Sequence, residues 1–393
     1  MKIGITGQPG FVGTHLYNYL GLLPDVERIP FKDEYFDSEE TLNGFVKQCD
    51  VIVHLAAMNR HPDPQVIYET NINLVKKMIS ACEETGSTPH ILFSSSTQEE
   101  RDNAYGKSKY EGRKLLEAWA KRNKAKFTGL IIPNVFGPFG RPYYNSFIAT
   151  FCHQLTHGEQ PKIDVDGEVK LIYVGELIEE IWKQINGTQM TQVELVATEK
   201  EISENLPNQR HQRSIQYRVP HTSENKVSSI LKLLESYKEN YFEKGIIPDL
   251  SDSFERNLFN TFVTYIDFKT FFPFYLTKHS DERGSFVELI KLNSGGQVSF
   301  STTKPGITRG NHFHTRKAER FAVIKGKARI DLRKIGTEEV LSFVLDGENP
   351  SFVDMPIWYT HNITNIGNDE LYTIFWINEH YNPEDGDTFY ETV

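Results

Sequence analysis

Cysteine is scarce in this sequence. Among 393 residues there are three, an odd number at wide spacing: Cys49, Cys82 and Cys152. A disulfide framework needs paired cysteines in an oxidising compartment, and a thiolate metal site needs several of them close together. We therefore expect reduced thiols, a cytoplasmic protein and no cysteine-bound metal.

Positive charge and long apolar runs are also lacking. The 43 lysines and arginines are outnumbered by 53 aspartates and glutamates, and the net charge of -10 argues against nucleic acid as the main partner. No apolar run approaches the roughly 18 residues of a membrane helix, so we expect no membrane insertion. Residues 1–6 predict a first strand and not a targeting segment.

The first part of the chain alternates predicted strands with predicted helices. Apolar, β-branched runs are typical of buried parallel strands, and apolar residues at helical spacing lie between them. Strands are predicted at residues 2–6, 51–55, 90–94 and 127–133, and helices at 10–20, 71–84 and 105–122. This order predicts a doubly wound, Rossmann-type parallel sheet.

The pattern changes near residue 271. Residues 188–225 are polar and predict loops and short strands, while helices at 227–237 and 253–265 close the first domain. Short aromatic and β-branched runs follow at 286–290, 297–301, 320–324, 328–332, 341–345, 351–353 and 372–377. Seven closely spaced strands favour an antiparallel barrel or sandwich. The predicted domains are residues 1–267 and 268–393.

Three glycines, Gly7, Gly10 and Gly13, follow the first predicted strand and open a helix. The first permits a tight turn, the second lets backbone N–H groups approach a pyrophosphate, and the third allows close helix–strand packing. A glycine-rich turn without a ligand is the alternative for the pattern alone. The strand-to-helix setting favours a dinucleotide site.

The choice of dinucleotide depends on the end of the second strand. A basic residue there accommodates a 2′-phosphate, and an acidic residue binds a ribose 2′-OH. Lys32 favours NADP and the adjacent Asp33 favours NAD. We predict NADPH.

A tyrosine and a lysine, Tyr105 and Lys109, share one face of a predicted helix. A neighbouring ammonium lowers the pKa of a phenol, so that the phenol can exchange a proton near neutral pH. A hydroxyl from the serine run at residues 94–96 can hold a substrate carbonyl. Together with the glycine loop, these groups indicate a carbonyl reductase.

Four metal-type ligands lie in the last third of the chain: His312, His314, Glu319 and His361. Two histidines separated by one residue point to the same face of a strand. Imidazole with carboxylate suits zinc, iron, nickel or manganese and disfavours calcium. The alternative is that these histidines are ordinary barrel residues without a metal.

Residues 1 to about 265 resemble an extended short-chain dehydrogenase/reductase that acts on a nucleotide sugar. The matching motifs are the glycine loop, His54-Leu-Ala-Ala57, Ser94-Ser95-Ser96, Tyr105-x-x-x-Lys109 and Pro133-Asn-Val-Phe-Gly-Pro138. The resemblance implies a catalytic triad of Ser96, Tyr105 and Lys109, with Thr97 as the alternative hydroxyl. It also implies cofactor contacts from Gly7, Gly10, Phe11, Val12, Gly13, Lys32, Leu55, Ala56 and Lys109.

The later part of the chain resembles a cupin. The first motif is Gly306-x5-His312-x-His314-x4-Glu319-x6-Gly326, and the second is Pro356-Ile-Trp358-Tyr-Thr-His361-Asn-Ile-Thr-Asn365. The resemblance implies one divalent ion, for which zinc is our prediction. Trp358 stands where glycine is usual. We expect it to prevent a positive φ at this turn and to place an aromatic ring over the barrel mouth.

The chain as a whole resembles the CapF family of capsular polysaccharide enzymes, in which a reductase precedes a cupin. Further motifs carry this resemblance: Tyr143-Tyr144-Asn145-Ser146, Asp281-x-Arg283-Gly284-Ser285-Phe286 and Lys304-Pro305-Gly306-Ile307-Thr308. It implies substrate contacts from Asn134, Asn145, Arg283, Lys304 and Arg309. It also implies a homodimer.

The family implies a two-step reaction on a UDP-4-keto-6-deoxy-2-acetamido-L-sugar. The cupin domain would epimerise C3, and the reductase domain would then deliver hydride from NADPH to the C4 ketone. Epimerisation must come first, because the C3 proton is acidic only while C4 is a ketone. Leu130-Ile131-Ile132 contains no arginine, although such reductases often carry one there for the nucleotide sugar.

Three alternatives stay open at the level of sequence. The enzyme could act on another dTDP-, GDP- or UDP-keto sugar. The cupin could be a non-catalytic metal-binding module used for sensing or dimerisation. The reductase could be degenerate and serve as a binding scaffold.

Overall fold

The computed structural model describes residues 1–187, 214–282, 284–380 and 382–393. Most of the polar segment at 188–225, together with the predicted substrate residue Arg283, lies outside these ranges. The chain forms two compact units: residues 1–135 with 170–222, and residues 136–169 with 223–393. The predicted domain boundary at residue 267 stays a prediction. Among the described residues, no helix is both long and apolar enough to cross a membrane.

Helices are distributed over both units. In chain order they are α1 (Phe11–Leu20), α2 (Glu39–Gln48), α3 (Pro64–Thr85), α4 (Ala104–Asn123), α5 (Phe147–Thr156), α6 (Val174–Asn186), α7 (Val227–Tyr237), α8 (Ser253–Val263) and α9 (Phe268–Phe271). Short 3₁₀ turns cover Asp33–Asp37 and Thr97–Glu100, and a π-turn covers Lys238–Phe242. The predicted helices are confirmed. The first two turns of α3, and all of α2, α5, α6 and α9, were missed.

Strands occur throughout the chain and dominate its later part. They are β1 (Lys2–Thr6), β2 (Glu27–Ile29), β3 (Val51–His54), β4 (His90–Ser96), β5 (Phe127–Ile132), β6 (Asn134–Phe136), β7 (Glu168–Tyr173), β8 (Ser214–Arg218), β9 (Ser223–Lys226), β10 (Ile246–Ile247), β11 (Phe274–Tyr275), β12 (Lys278–Asp281), β13 (Gly284–Val287), β14 (Lys291–Leu292), β15 (Gln297–Thr303), β16 (Thr308–Phe313), β17 (Glu319–Lys325), β18 (Lys327–Lys334), β19 (Val340–Asp346), β20 (Ser351–Met355), β21 (Tyr359–Asn365), β22 (Leu371–Ile377) and β23 (Phe389–Tyr390).

The first unit contains a six-stranded parallel sheet in the order β2-β1-β3-β4-β5-β8. Along each strand, the side chains point alternately into two apolar cores on opposite faces of the sheet. Ile91 and Phe93 belong to one core, and Leu92, between them, belongs to the other. The Rossmann-type prediction is confirmed. The carboxyl ends of parallel strands share one edge, which is where ligands bind in such sheets.

The second unit contains two five-stranded antiparallel sheets. Their orders are β11-β20-β17-β22-β15 and β19-β18-β21-β16-β23. The two sheets face each other, because ligand atoms from β17 in one sheet and from β16 and β21 in the other lie within 4.8 Å of one another. The predicted antiparallel β-domain is confirmed. β16 and β21 were absent from the seven predicted strands, although the spacing of His312 and His314 had predicted a strand at the position of β16.

Candidate functional site: a nucleotide loop and a metal cluster

The glycine loop after β1 has no room for side chains. Gly7 has a φ of 70°, and a Cβ placed on it would lie 2.8 Å from the backbone nitrogen of Ala56. A Cβ on Gly13 would lie 2.4 Å from the carbonyl oxygen of Gly7. Gly10 is the N-cap of α1, and no side chain caps this helix. The N–H groups of its first turn are therefore available to an anion such as a pyrophosphate, and the loop fits a dinucleotide.

The other predicted cofactor residues surround this loop. Phe11 and Val12 lie in the first turn of α1, and Leu55 and Ala56 follow β3. The N–H of Ala56 donates to Oγ1 of Thr6 at 3.3 Å, which holds the ends of β1 and β3 together. Lys32 and Asp33 are both exposed after β2. Because both are accessible, the preference for NADPH stays a prediction.

The tyrosine and lysine pair lies at the start of α4. Oδ1 of Asn103 accepts the N–H of Gly106 at 2.7 Å and caps the helix, so Tyr105 falls in the first turn and Lys109 one turn later. Nζ of Lys109 lies 5.7 Å from the centroid of the Tyr105 ring. Burial lowers the pKa of Lys109 to about 7, although the charge of Glu99 opposes this shift. The lysine can therefore change its charge near neutral pH beside the tyrosine.

The two outer serines of the run at residues 94–96 have different partners. Nζ of Lys109 donates to Oγ of Ser94 at 3.4 Å, and Ser94 donates to the carbonyl of His54 at 3.2 Å. Oγ of Ser96 accepts the N–H of Gln98 at 3.2 Å and caps the following 3₁₀ turn. Sequence reasoning missed Ser94 as the partner of the lysine. The available signal was strand alternation, because residues two apart on a strand share a face.

The four predicted metal ligands converge in the second unit. His312 is on β16, His314 directly follows it, Glu319 begins β17 and His361 is on β21. Oε2 of Glu319 lies 3.0 Å from Nε2 of His361, 3.3 Å from Nε2 of His314 and 3.9 Å from Nε2 of His312. Nε2 of His314, Nε2 of His361 and Oε2 of Glu319 are buried and lack a partner of regular hydrogen-bond geometry. Such groups are costly to bury, and a divalent cation would satisfy all three.

The electrostatics of the cluster suit a cation. Burial opposes ionisation of Glu319, but its interactions with the adjacent His314 and His361 rings outweigh burial and hold the pKa of the carboxyl well below its usual range. Burial and the neighbouring His361 lower the pKa of His312 to about 4. The carboxylate is therefore anionic and His312 neutral, which are the protonation states that metal ligands require.

Trp358 contradicts the expectation that it prevents a positive φ at this turn. Its φ is 61°, so the turn keeps the left-handed backbone that glycine would adopt. The main-chain N–H of Trp358 donates to the carbonyl of His314 at 2.8 Å, and the main-chain carbonyl of Trp358 accepts the N–H of Ile335 at 2.9 Å. The indole is buried and stacks on Phe313, with 5.6 Å between the ring centroids, and its placement over the barrel mouth stays a prediction. These contacts offset a backbone cost of about 1–3 kcal/mol.

The predicted substrate residues are exposed where the structure describes them. Asn134 begins β6 and donates to the carbonyl of Lys170 at 3.3 Å. Asn145 precedes α5, and Lys304 precedes β16. Arg309 is on β16, where its guanidinium donates to the carbonyl of Thr302 at 3.3 Å. Their roles stay predictions.

The two units together define a class: a short-chain dehydrogenase/reductase-type nucleotide fold on one chain with an antiparallel β-barrel that carries a candidate metal cluster. Residues 3–191 match the NAD dependent epimerase/dehydratase family. Residues 279–389 match the polysaccharide biosynthesis C-terminal domain.

Relatives that match over nearly the whole chain identify the family. The UDP-2-acetamido-2,6-beta-L-arabino-hexul-4-ose reductase of Pseudomonas aeruginosa is 31% identical over 390 residues, which cover 99% of this chain and 98% of that protein. The crystal structure of the capsular polysaccharide assembling protein CapF from Staphylococcus aureus matches with a TM-score of 0.60 and 33% identity over 100% of both chains. The spore coat polysaccharide biosynthesis protein SpsL of Bacillus subtilis is 30% identical over 122 residues, which cover 28% of this chain and 81% of that protein. The chain belongs to the CapF family, as the sequence motifs predicted.

Proposed function

We propose that this chain is a bifunctional nucleotide-sugar enzyme. The cupin part epimerises C3 of a UDP-4-keto-6-deoxy-2-acetamido-L-sugar, and the N-terminal part reduces the C4 ketone with NADPH. The product is a UDP-2-acetamido-2,6-dideoxy-L-talose-type sugar for capsule or O-antigen synthesis. The observation that carries the proposal is the match over 99% of the chain with a relative named as a hexul-4-ose reductase.

The proposed reduction uses Tyr105 and Lys109 on α4. Tyr105 donates a proton to the C4 oxygen, and Lys109, buried one turn away, lowers the cost of the phenolate that remains. The hydroxyl of Ser96, at the carboxyl end of β4, holds the same oxygen. Bound NADPH supplies the hydride for C4. The glycine loop at Gly7 and Gly13 and the first turn of α1 hold its pyrophosphate.

The proposed epimerisation uses the barrel. The proton at C3 is acidic because the adjacent C4 is a ketone, so this step precedes reduction. A zinc ion held by His312, His314, Glu319 and His361 would act as a Lewis acid or as an anchor for a sugar oxygen. Arg309, exposed on β16, is suited to contact the diphosphate.

A homodimer is part of the proposal. β15 lies at the end of its sheet, and two of its large apolar side chains are exposed, Val298 by 58% and Phe300 by 71%. Exposed apolar side chains on an edge strand favour pairing with another chain. Sedimentation of the protein and of a Phe300→Glu variant measures the oligomeric state, and a monomeric parent protein would refute this part.

Proton NMR in deuterated buffer tests the two-step reaction. Incubation of the 4-keto sugar without NADPH should exchange the C3 proton, and addition of NADPH should then consume the ketone. Tyr105→Phe should keep the exchange and lose the reduction, whereas Tyr110→Phe, on the exposed face of α4, should keep both. Reduction without any C3 exchange would refute the bifunctional proposal. Exchange with only a dTDP- or GDP-sugar would favour the alternative substrates.

A further inference from the structure

The last residues of the chain pack against the metal-binding segment. β23 pairs with β16, with Phe389 opposite Phe313 and Tyr390 opposite His312. Asp387, which precedes this strand, is 8% exposed and has a φ of 38°. Its carboxylate and its main-chain carbonyl make separate contacts with the chain around His314.

The carboxylate of Asp387 binds the segment between two ligands. Its Oδ1 accepts the N–H of Thr315 at 3.1 Å and the hydroxyl of Thr315 at 2.7 Å. Its Oδ2 accepts the N–H groups of Arg316 and Lys317, each at 3.1 Å. Charge-assisted bonds of this kind are stronger than those between neutral groups. One buried carboxylate therefore fixes three consecutive residues that link His314 to Glu319.

The main-chain carbonyl of Asp387 orients a ligand directly. It accepts a hydrogen bond from Nδ1 of His314 at 2.5 Å. With the proton on Nδ1, the other ring nitrogen, Nε2, carries the lone pair that faces Oε2 of Glu319 at 3.3 Å. The ring of His361 uses the nearby carbonyl of Tyr359 at 3.2 Å, and the ring of His312 bonds the nearby backbone of Gly310. The orienting group of His314, in contrast, comes from a segment 73 residues away.

Further bonds hold the C-terminal segment in place. Lys317 is 2% exposed, and its Nζ donates to the carbonyl of Gly386 at 2.6 Å. The hydroxyl of Thr360, next to the ligand His361, donates to the carbonyl of Glu391. Residues 386–391 are thus tied to the chain on both sides of the cluster.

We propose that Asp387 is a positioning residue of the metal centre, and that residues 386–391 act as a strap that sets its affinity for a divalent ion. Asp387 contacts no ligand atom that faces the cluster. It acts through the tautomer and orientation of His314 and through the link to Glu319. The inference rests on the proposed metal centre, and zinc binding by the parent protein tests that centre separately.

Competition between the full-length protein and a chromogenic zinc chelator measures the affinity. Removal of a group that orients a metal ligand typically weakens binding about 10–100-fold. Asp387→Ala should weaken zinc binding by a factor in this range. Asp385→Asn is the matched control, because this exposed carboxylate lies two residues away and pairs with the side chain of Arg316. The zinc affinity of Asp385→Asn should stay within about twofold of that of the parent protein.

A milder variant guards against misfolding. Thr315→Val removes one hydroxyl donor to Asp387 and keeps the backbone N–H, so it should weaken zinc binding several-fold while the circular dichroism of the metal-free protein is unchanged. Cobalt substitution should show altered visible bands in Asp387→Ala and parent-like bands in Asp385→Asn. If both Asp387→Ala and Thr315→Val bind zinc as tightly as the parent protein, the proposed role of the strap is wrong. If the parent protein does not bind one zinc ion, the proposal of a metal centre is itself wrong.

Discussion

Nζ of Lys109 lies 3.4 Å from Oγ of Ser94, two residues before the serine that the family motif assigns to catalysis. Both serines point to the same face of β4, because side chains two residues apart on a strand share a face. The hydroxyl of Ser94 is held by Lys109 and by the carbonyl of His54. The hydroxyl of Ser96 is held by the turn that begins at Thr97. The two serines therefore have separable roles.

Replacement of each serine distinguishes these roles. Ser96→Ala should lower kcat about 100-fold, since loss of one donor to a developing oxyanion costs about 10²–10³ in kcat. Ser94→Ala should lower it less than about tenfold, because its hydroxyl is engaged with Lys109. NADPH oxidation with the 4-keto sugar measures both. The reverse order would move the catalytic hydroxyl to Ser94, and loss of activity in Thr97→Val alone would move it to Thr97.

The buried lysine predicts a pH dependence of stability. The pKa of Lys109 is about 7 in the folded protein, against an ordinary value of 10.5. Between these values the unfolded chain binds more protons at this group, so its contribution to the free energy of unfolding rises with pH. Below pH 7 the full penalty of burying the charge applies. Urea denaturation at pH 7 and pH 9 should show this rise in the parent protein.

Two variants separate Lys109 from other titrating groups. Lys109→Met should show a smaller rise in the free energy of unfolding from pH 7 to pH 9 than the parent protein. Lys107→Met, whose ammonium is exposed and pairs with Asp102, should behave like the parent. Equal rises in all three proteins would show that burial does not shift the pKa of Lys109.

Removal of the metal should destabilise the protein. An ion that binds only the folded state, at a free concentration 100 times its Kd, adds about 2.7 kcal/mol to the free energy of unfolding. Urea denaturation with zinc and then with a chelator should show a difference of this order. His314→Ala should abolish it, whereas His157→Ala, on a histidine outside the cluster, should not. A zinc effect that survives in His314→Ala would place the ion elsewhere.

A buried ion pair in the second unit predicts a graded loss of stability. The guanidinium of Arg320 is fully buried and binds both oxygens of Asp354, at 2.7 Å and 2.8 Å. It also donates to the carbonyl of Gly245 at 2.6 Å, and the hydroxyl of Tyr241 donates to Asp354 at 2.7 Å. These bonds join the barrel strands to the helical segment before residue 268. Removal of one partner would leave a buried, uncompensated charge.

Three variants test this network by urea denaturation. Asp354→Ala should cost about 3–5 kcal/mol, as expected for breaking a buried ion pair. Tyr241→Phe should cost about 1.5–3 kcal/mol, because it removes one hydrogen bond to a charged carboxylate. Glu339→Ala, which breaks an exposed pair with Lys269, should cost less than about 1 kcal/mol. Similar losses for Asp354→Ala and Glu339→Ala would contradict a structural role for the pair.

Much of the fold and site was predictable because the signals are local. The spacing of Gly7, Gly10 and Gly13 after an apolar strand, and of Tyr105 and Lys109 on one helix, reflects constraints within a few residues of chain. The ligand set was also readable, because His312, His314 and Glu319 lie within one short stretch. β21 was missed and β16 was indicated only by the spacing of His312 and His314, since polar ligands interrupt the apolar pattern that reveals a strand.

The sequence by itself determined the class of each unit, the nucleotide loop and the four ligands, because periodicity and spacing express local backbone geometry. The tertiary structure decided which groups surround them. It paired Lys109 with Ser94, held Trp358 at a φ of 61° and brought Asp387 to His314. Such contacts join residues that are distant in the chain or depend on buried packing, and the free energy that fixes them arises only once the strands have assembled.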